Sequence, residues 1–118
     1  MEVKRILVVD DDTMNLKRTK MILGKTYDVE LVESGSEALE KMRREDFDLI
    51  LLDIAMPEMS GIETTRRIRE AIGHDAPIIV LTAYDWTDIE EEAKKAGVTA
   101  FCAKPLFLSD LKSALMAA

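Results

Sequence analysis

Several residue types are scarce in this chain of 118 residues, and each scarcity excludes a class of protein. A single cysteine, Cys102, excludes an internal disulfide and is typical of a reducing compartment. A single histidine, His74, cannot form a site of paired histidines, and we interpret it as an exposed loop residue. No apolar run approaches the roughly 18 residues of a membrane span, and no secretory leader precedes the first apolar run. We therefore expect a cytoplasmic protein.

Basic residues are also in deficit, with 16 Lys and Arg against 23 Asp and Glu, so the net charge is −7. An acidic surface repels phosphate backbones and anionic lipids, so we expect neither nucleic acid nor a membrane as a direct partner. The length predicts one domain, spanning residues 1–118.

What the chain does have is a regular alternation of short apolar runs with helical patterns. The five runs are RILVV (5–9), VELV (29–32), LILL (49–52), IIVL (78–81) and AFCA (100–103). Runs this short and this continuously apolar are typical of strands that are buried on both faces of a parallel sheet. The β-α order, repeated five times, predicts an α/β fold with helices on both faces of the sheet, a doubly wound (βα)5 domain.

Capping patterns and apolar stripes predict where the helices lie. Capping boxes are predicted for three pairs: Ser34 with Glu37, Ser60 with Glu63, and Thr87 with Glu90. Glycines predict the ends of the first and fourth helices, at Gly24 and Gly97. The predicted buried stripes are Met14, Met21 and Ile22 in the first helix, Ile62, Ile68 and Ile72 in the third, Ile89, Ala93 and Ala96 in the fourth, and Leu108, Leu111 and Leu115 in the last.

Polar residues follow the predicted strands at the points where the strands end. Asp10, Asp11 and Asp12 follow the first run, Asp53 follows the third, Thr82 the fourth and Lys104 the fifth. The carboxyl ends of parallel strands lie on one edge of a sheet, which is where open α/β sheets bind ligands. We therefore expect several carboxylates, one hydroxyl and one ammonium group to meet at this edge.

This set of groups has a chemical interpretation. Carboxylates held close together favour a divalent cation, and oxygen ligands suit Mg²⁺, with Mn²⁺ as the alternative. A carboxylate beside such a cation can attack phosphorus, because the cation offsets the negative charge of the incoming phosphoryl group. A lysine and a hydroxyl nearby would hold phosphoryl oxygens. The residues thus indicate Asp53 as a phosphoryl acceptor. Asp12, by contrast, we interpret as a helix N-cap or a solvated acid outside the metal site.

Four stretches in order, ILVVDDD (6–12), DLILLDIAMPEMSG (48–61), PIIVLTA (77–83) and KP (104–105), resemble the response-regulator receiver domain of two-component signalling. The resemblance extends to chemotaxis-regulator-like phosphoacceptor domains and covers nearly the whole chain. It implies a flavodoxin-like fold with strand order 2-1-3-4-5. Residues 83–111 are similar to receivers of hybrid sensor histidine kinases, so a free-standing and an excised receiver both stay open.

The resemblance also assigns roles to individual residues. It implies that Asp53 is phosphorylated, that Asp11 binds Mg²⁺ directly, that Asp10 assists through water and that the Ala55 carbonyl completes the metal site. It further implies that Lys104 binds the phosphoryl group. The resemblance also implies that the Thr82 hydroxyl and the Phe101 ring form the conformational switch. These two groups move together and change the surface formed by the fourth helix, fifth strand and fifth helix.

The implied partner is a sensor histidine kinase or its phosphotransfer domain, with an effector domain or partner protein downstream and a monomeric or weakly dimeric state. Such a domain is a signalling module and not an enzyme, because it catalyses only its own phosphorylation and dephosphorylation. Two alternatives stay open. Asp10 and Asp12 fit the D-x-D pattern of haloacid-dehalogenase-like phosphatases, although no late acidic pair follows a strand. A degenerate receiver would act only by binding proteins.

Overall fold

The computed structural model describes residues 4–53, 60–72, 76–82, 87, 89–103 and 109. In chain order the elements are β1 (Arg5–Val9), α1 (Thr13–Leu23), β2 (Asp28–Val32), α2 (Gly35–Arg44), β3 (Leu49–Asp53), α3 (Gly61–Ala71), β4 (Ile78–Thr82), α4 (Glu90–Ala96) and β5 (Ala100–Ala103). Every predicted apolar run is therefore a strand.

The five strands form one parallel sheet in the order β2-β1-β3-β4-β5, which confirms the expected strand order and fold class. Three residues of the predicted last helix, Leu108, Leu111 and Leu115, lie outside the described residues. In the part of the chain that is described, no helix combines the length and the apolar character that crossing a bilayer requires.

Alternation along the strands builds a separate hydrophobic core on each face of the sheet. Successive strand residues point to opposite faces. Leu7, Ile50 and Val80 accordingly pack with residues of α2, α3 and α4 on one face. Ile6 and Leu51 pack with residues of α1 on the other. The central strands are apolar without interruption because both of their faces are covered.

The predicted apolar stripe of α1 is wrong in two of its three residues. Met14 and Met21 are each 76% exposed, whereas Leu16 and Leu23 are buried and Ile22 is partly buried. Leu16 and Leu23 lie seven residues apart and share a face, whereas Met14 lies about 200° from Leu16 around the helix. The leucine pair defines the buried face, and the methionine pair defines the face that points to solvent.

Two of the three predicted capping boxes have their N-cap bond. The hydroxyls of Ser34 and Ser60 accept hydrogen bonds from the amides three residues later, both at 3.2 Å. The prediction for Thr87 is wrong, because α4 has Ile89 as its N-cap and no side-chain cap bond. Thr87 lies two residues too early for its hydroxyl to serve as the N-cap. Asp12 does cap α1, accepting a hydrogen bond from the Met14 amide at 2.9 Å.

The predicted helix ends have mixed outcomes. Gly24 and Gly97 end their helices as expected, and Gly97 has a positive φ of 109°. The prediction that Ile72 is buried in α3 is wrong, since Ile72 is the C-cap and is 38% exposed. Cys102 is buried in β5, where it packs as a small core residue.

The carboxylate of Asp48 anchors the edge of the sheet at which the strands begin, opposite the edge at which they end. Oδ2 of Asp48 accepts hydrogen bonds from the backbone amides of Lys4, at 3.0 Å, and Arg5, at 2.9 Å. These two bonds fix the start of β1 against the residue that precedes β3. Because both amides bind the charged form, they hold the pKa of Asp48 below its ordinary value of 3.8.

This anchor predicts a pH dependence of stability. The pKa of Asp48 is lower in the folded chain than in the unfolded chain, so its stabilisation is complete above the ordinary pKa. The stabilisation is lost as pH falls through the folded pKa. We expect Asp48→Asn to lower the free energy of unfolding by about 1 kcal/mol at neutral pH. Below about pH 4, the free energy of unfolding of this variant should fall less steeply with pH than that of the parent protein. Urea unfolding at several pH values measures both effects, and Asp46→Asn, at an exposed neighbour, should behave as the parent protein does.

Candidate metal and phosphoryl site

Three carboxylates meet at the edge of the sheet where the strands end. Asp53 is the last residue of β3, and Asp10 follows β1 directly. Val9 pairs with Leu52 across the sheet, so the next residue on each strand, Asp10 and Asp53, continues side by side. One carboxylate oxygen from each of Asp10, Asp11 and Asp53 lies within 4.8 Å of the other two. The structure therefore brings together the three acids that the sequence analysis placed at a metal site.

The burial of these acids bears on what they can bind. Asp10 and Asp53 are each only 4% exposed, whereas Asp11 is exposed to solvent. Buried carboxylates are unfavourable unless their charge is compensated. Oδ1 of Asp10 accepts a hydrogen bond from the Asp12 amide at 3.0 Å, which compensates one oxygen.

The donor set fits a small hard cation. All three side chains offer oxygen, which is the ligand that Mg²⁺ prefers. Asp11 faces water, and Mg²⁺ usually keeps several of its own water ligands. A divalent cation would also reduce the mutual repulsion of three negative charges. The residues present thus fit Mg²⁺ or Mn²⁺.

The residues predicted to form the switch lie on β4, the neighbour of β3, and on β5, the strand beyond β4. Asp53 pairs with Leu81, and Thr82 is the next residue of β4 and only 2% exposed. Phe101 is half-buried on β5 and pairs with Val80. Its side chain packs against the core on the face that α3 and α4 cover. Val80 belongs to the same core, and by alternation Thr82 shares its face, so Thr82 and Phe101 lie on one side of the sheet.

Two predicted functional residues, Ala55 and Lys104, lie outside the described residues. Their roles stay predictions. Lys104 follows Ala103 in the sequence, and Ala103 pairs with Thr82 at the same edge of the sheet.

The opposite edge of the sheet has a cavity of about 510 Å³, lined in part by Phe47, Asp48, Arg69 and Pro77. Asp48 and Pro77 precede β3 and β4, so this cavity lies at the far end of the strands from Asp53. None of the residues that line it belongs to the acidic cluster.

The fold and the acidic cluster together define the class of this protein: a flavodoxin-like α/β domain with a carboxylate site at the carboxyl edge of its sheet. The family described as the response regulator receiver domain matches residues 6–116. The chain belongs to that family and is a receiver domain of the kind found in two-component response regulators. Receiver domains of this family typically bind Mg²⁺ and interact with histidine kinases.

Individual relatives agree with this assignment. The chain is 40% identical over 111 residues to the transcriptional regulatory protein ZraR of Escherichia coli, covering 93% of this chain and 25% of ZraR. It therefore spans about a quarter of the length of that curated relative.

Solved structures show the same fold. The chemotaxis protein CheY4 of Vibrio cholerae superposes with a TM-score of 0.85 at 29% identity, covering 98% of each chain. The receiver domain of the sensor histidine kinase PA1611 from Pseudomonas aeruginosa superposes with a TM-score of 0.82 at 31% identity, covering 98% of this chain and 97% of that one. The PA1611 structure has a magnesium ion coordinated in its active-site cleft.

Proposed function

We propose that Asp53 accepts a phosphoryl group from the phosphohistidine of a sensor histidine kinase, or of its phosphotransfer domain, in a Mg²⁺-dependent reaction. The observation that supports this most directly is the cluster of Asp10, Asp11 and Asp53 at the strand ends. The acceptor carboxylate belongs to the last residue of a buried strand, so the Asp53 side chain has little freedom to move away from that cluster.

In the proposed transfer, a carboxylate oxygen of Asp53 forms the new bond to phosphorus. The bond between phosphorus and the donor imidazole nitrogen breaks, and its electron pair stays with that nitrogen. Asp10, Asp11 and Asp53 would hold the cation, together with the backbone carbonyl of Ala55. When bound, Mg²⁺ offsets negative charge on the acceptor and on the incoming group.

Two further residues receive the transferred group in this proposal. Lys104 binds phosphoryl oxygens as a point charge, and the Thr82 hydroxyl donates a hydrogen bond to another. The movement of Thr82 allows Phe101 to change rotamer. The two side chains then shift a pre-existing equilibrium of the face formed by α4, β5 and the predicted fifth helix.

We infer that residues 1–118 act as one receiver domain in the cytoplasm, as a monomer or weak homodimer. The domain catalyses its own phosphorylation and slow dephosphorylation and acts on no other substrate. Its output passes to an effector domain or a partner protein, and the receiver itself contacts neither nucleic acid nor a membrane. The net charge of −7 supports this last point.

The test is incubation with acetyl phosphate, followed by intact mass measurement. We expect the mass to rise by one phosphoryl group with Mg²⁺ and to stay unchanged when the cation is chelated. Absence of any Mg²⁺-dependent uptake would favour a degenerate receiver that acts only by binding. Rapid turnover of diverse phosphate esters would instead favour the haloacid-dehalogenase-like hydrolase.

A further inference from the structure

The C-terminal end of α4 is held by a side chain from another helix. Arg69, near the end of α3, directs its guanidinium to the residue that caps α4. Its Nε and Nη2 both donate to the Gly97 carbonyl, at 3.1 and 2.9 Å. Its Nη1 donates to the Ala76 carbonyl, just before β4, at 2.7 Å. One side chain thereby joins α3, the start of β4 and the end of α4.

Gly97 is shaped to accept this contact. Its φ of 109° lies in the region that favours glycine, and its amide donates to the carbonyls of Ala93 and Lys94. A Cβ atom added at Gly97 would lie 2.6 Å from Cγ of Arg69, so the arginine stem packs directly on the glycine backbone. The positive guanidinium also faces the negative end of the α4 dipole.

Two hydrogen bonds of Thr99, one through its backbone and one through its side chain, secure the same end of α4. The Thr99 amide donates to the Ile78 carbonyl at 2.8 Å, and the Thr99 hydroxyl accepts from the Ile78 amide at 3.0 Å. The residues between α4 and β5 are thus bonded to the first residue of β4.

Among the described residues, the N-terminal end of α4 differs from the C-terminal end. Its N-cap is Ile89, which supplies no side-chain hydrogen bond to the first turn. This end follows Thr82 in the chain, whereas the end near Gly97 is bonded to the opposite edge of the sheet. In the described part of the chain, the C-terminal end of α4 therefore has the bonds of Arg69 and Thr99, while the N-terminal end has no side-chain cap.

We propose that Arg69 is a positioning residue for the switch: it fixes the C-terminal end of α4, so that the change following phosphorylation at Asp53 displaces mainly the N-terminal end. This inference rests on the proposed function. Its basis is the three-bond contact of Arg69 with Gly97 and Ala76. Sequence analysis missed Arg69 because its partner at Gly97 is 28 residues away and no local pattern indicates the pair.

The test compares the backbone amide NMR shifts of the parent protein with those of Arg69→Gln, with and without Mg²⁺ and beryllofluoride. In the parent we expect larger shifts at Glu90 and Glu91 than at Gly97 and Val98. In Arg69→Gln we expect the shifts to extend to Gly97. Hydrogen exchange at the Gly97 amide should become roughly tenfold faster than in the parent, because the local opening loses charged hydrogen bonds.

Two further variants separate positioning from general destabilisation. Arg69→Lys keeps the charge but cannot bind both carbonyls as a fork, so we expect an intermediate pattern. If Arg69→Gln does not fold, Arg69→Lys replaces it as the test variant. Arg67→Gln removes the same charge from the exposed side of α3, where Arg67 pairs with Glu63 at 3.4 Å, and should match the parent.

The outcomes distinguish the two proposals. A parent that responds to beryllofluoride, with a pattern unchanged in both Arg69 variants, overturns the positioning role and leaves the proposed function standing. Equal shifts at both ends of α4 in the parent also overturn the positioning role and leave the proposed function standing. A parent that responds at no amide overturns the proposed function, and the positioning role falls with it.

Discussion

The Asp53→Asn protein is expected to take up no measurable phosphoryl group from acetyl phosphate, a loss of roughly 1000-fold or more against the parent. An amide lacks the negative charge that makes the carboxylate oxygen a nucleophile. Asparagine has nearly the same shape as aspartate, so the end of β3 should keep its pairing with Leu81. Intact mass after a fixed incubation with Mg²⁺ and acetyl phosphate measures the loss.

A matched control exists beside the site. Asp12→Asn changes the net charge equally, and Asp12 lies outside the cluster of Asp10, Asp11 and Asp53. Asparagine is as good an N-cap as aspartate, so α1 should keep its cap. This variant should be phosphorylated at the parent rate. Uptake by Asp53→Asn at a rate near that of Asp12→Asn would place the acceptor elsewhere.

The strands were predictable because burial on both faces imposes a simple pattern. A central parallel strand such as β3 has no polar face, so it appears as an unbroken apolar run. Helix faces were less predictable. In α1, the methionines and the leucines form two competing stripes, and only packing against β1 and β2 selects Leu16 and Leu23. Met14 and Met21 are apolar but remain in solvent, which no periodicity argument excludes.

The edge of the sheet at which Asp10 and Asp53 lie was predictable without knowledge of the strand order, whereas their contact depends on β1 and β3 being neighbouring strands. In a parallel sheet every strand ends at the same edge, so Asp10 and Asp53 meet there once their strands are correctly placed. The α4 region was not predictable in the same way. Its start depends on whether Thr87 or Ile89 occupies the N-cap, and its end depends on Arg69, a residue distant in sequence. The contact of Arg69 with Gly97 is a tertiary one, which no local sequence pattern encodes.

The largest expected effect on stability is that of Ile50→Ala. Ile50 is fully buried in β3 and pairs with Leu7 and Ile78 on its two sides. Removing its buried carbons loses transfer free energy and leaves a cavity, which together lower the free energy of unfolding by about 3–4 kcal/mol. That is a large share of the ~5–15 kcal/mol available to a typical domain. Urea unfolding followed by circular dichroism measures the change.

Ile72→Ala is the matched control, because it deletes the same atoms from a side chain that is 38% exposed at the end of α3. We expect it to change the free energy of unfolding by less than about 1 kcal/mol. Since β-pairing, and not the Ile50 side chain, places Asp53 beside Asp10, folded Ile50→Ala should still be phosphorylated. Equal destabilisation by the two variants would contradict the assignment of β3 to the centre of the core.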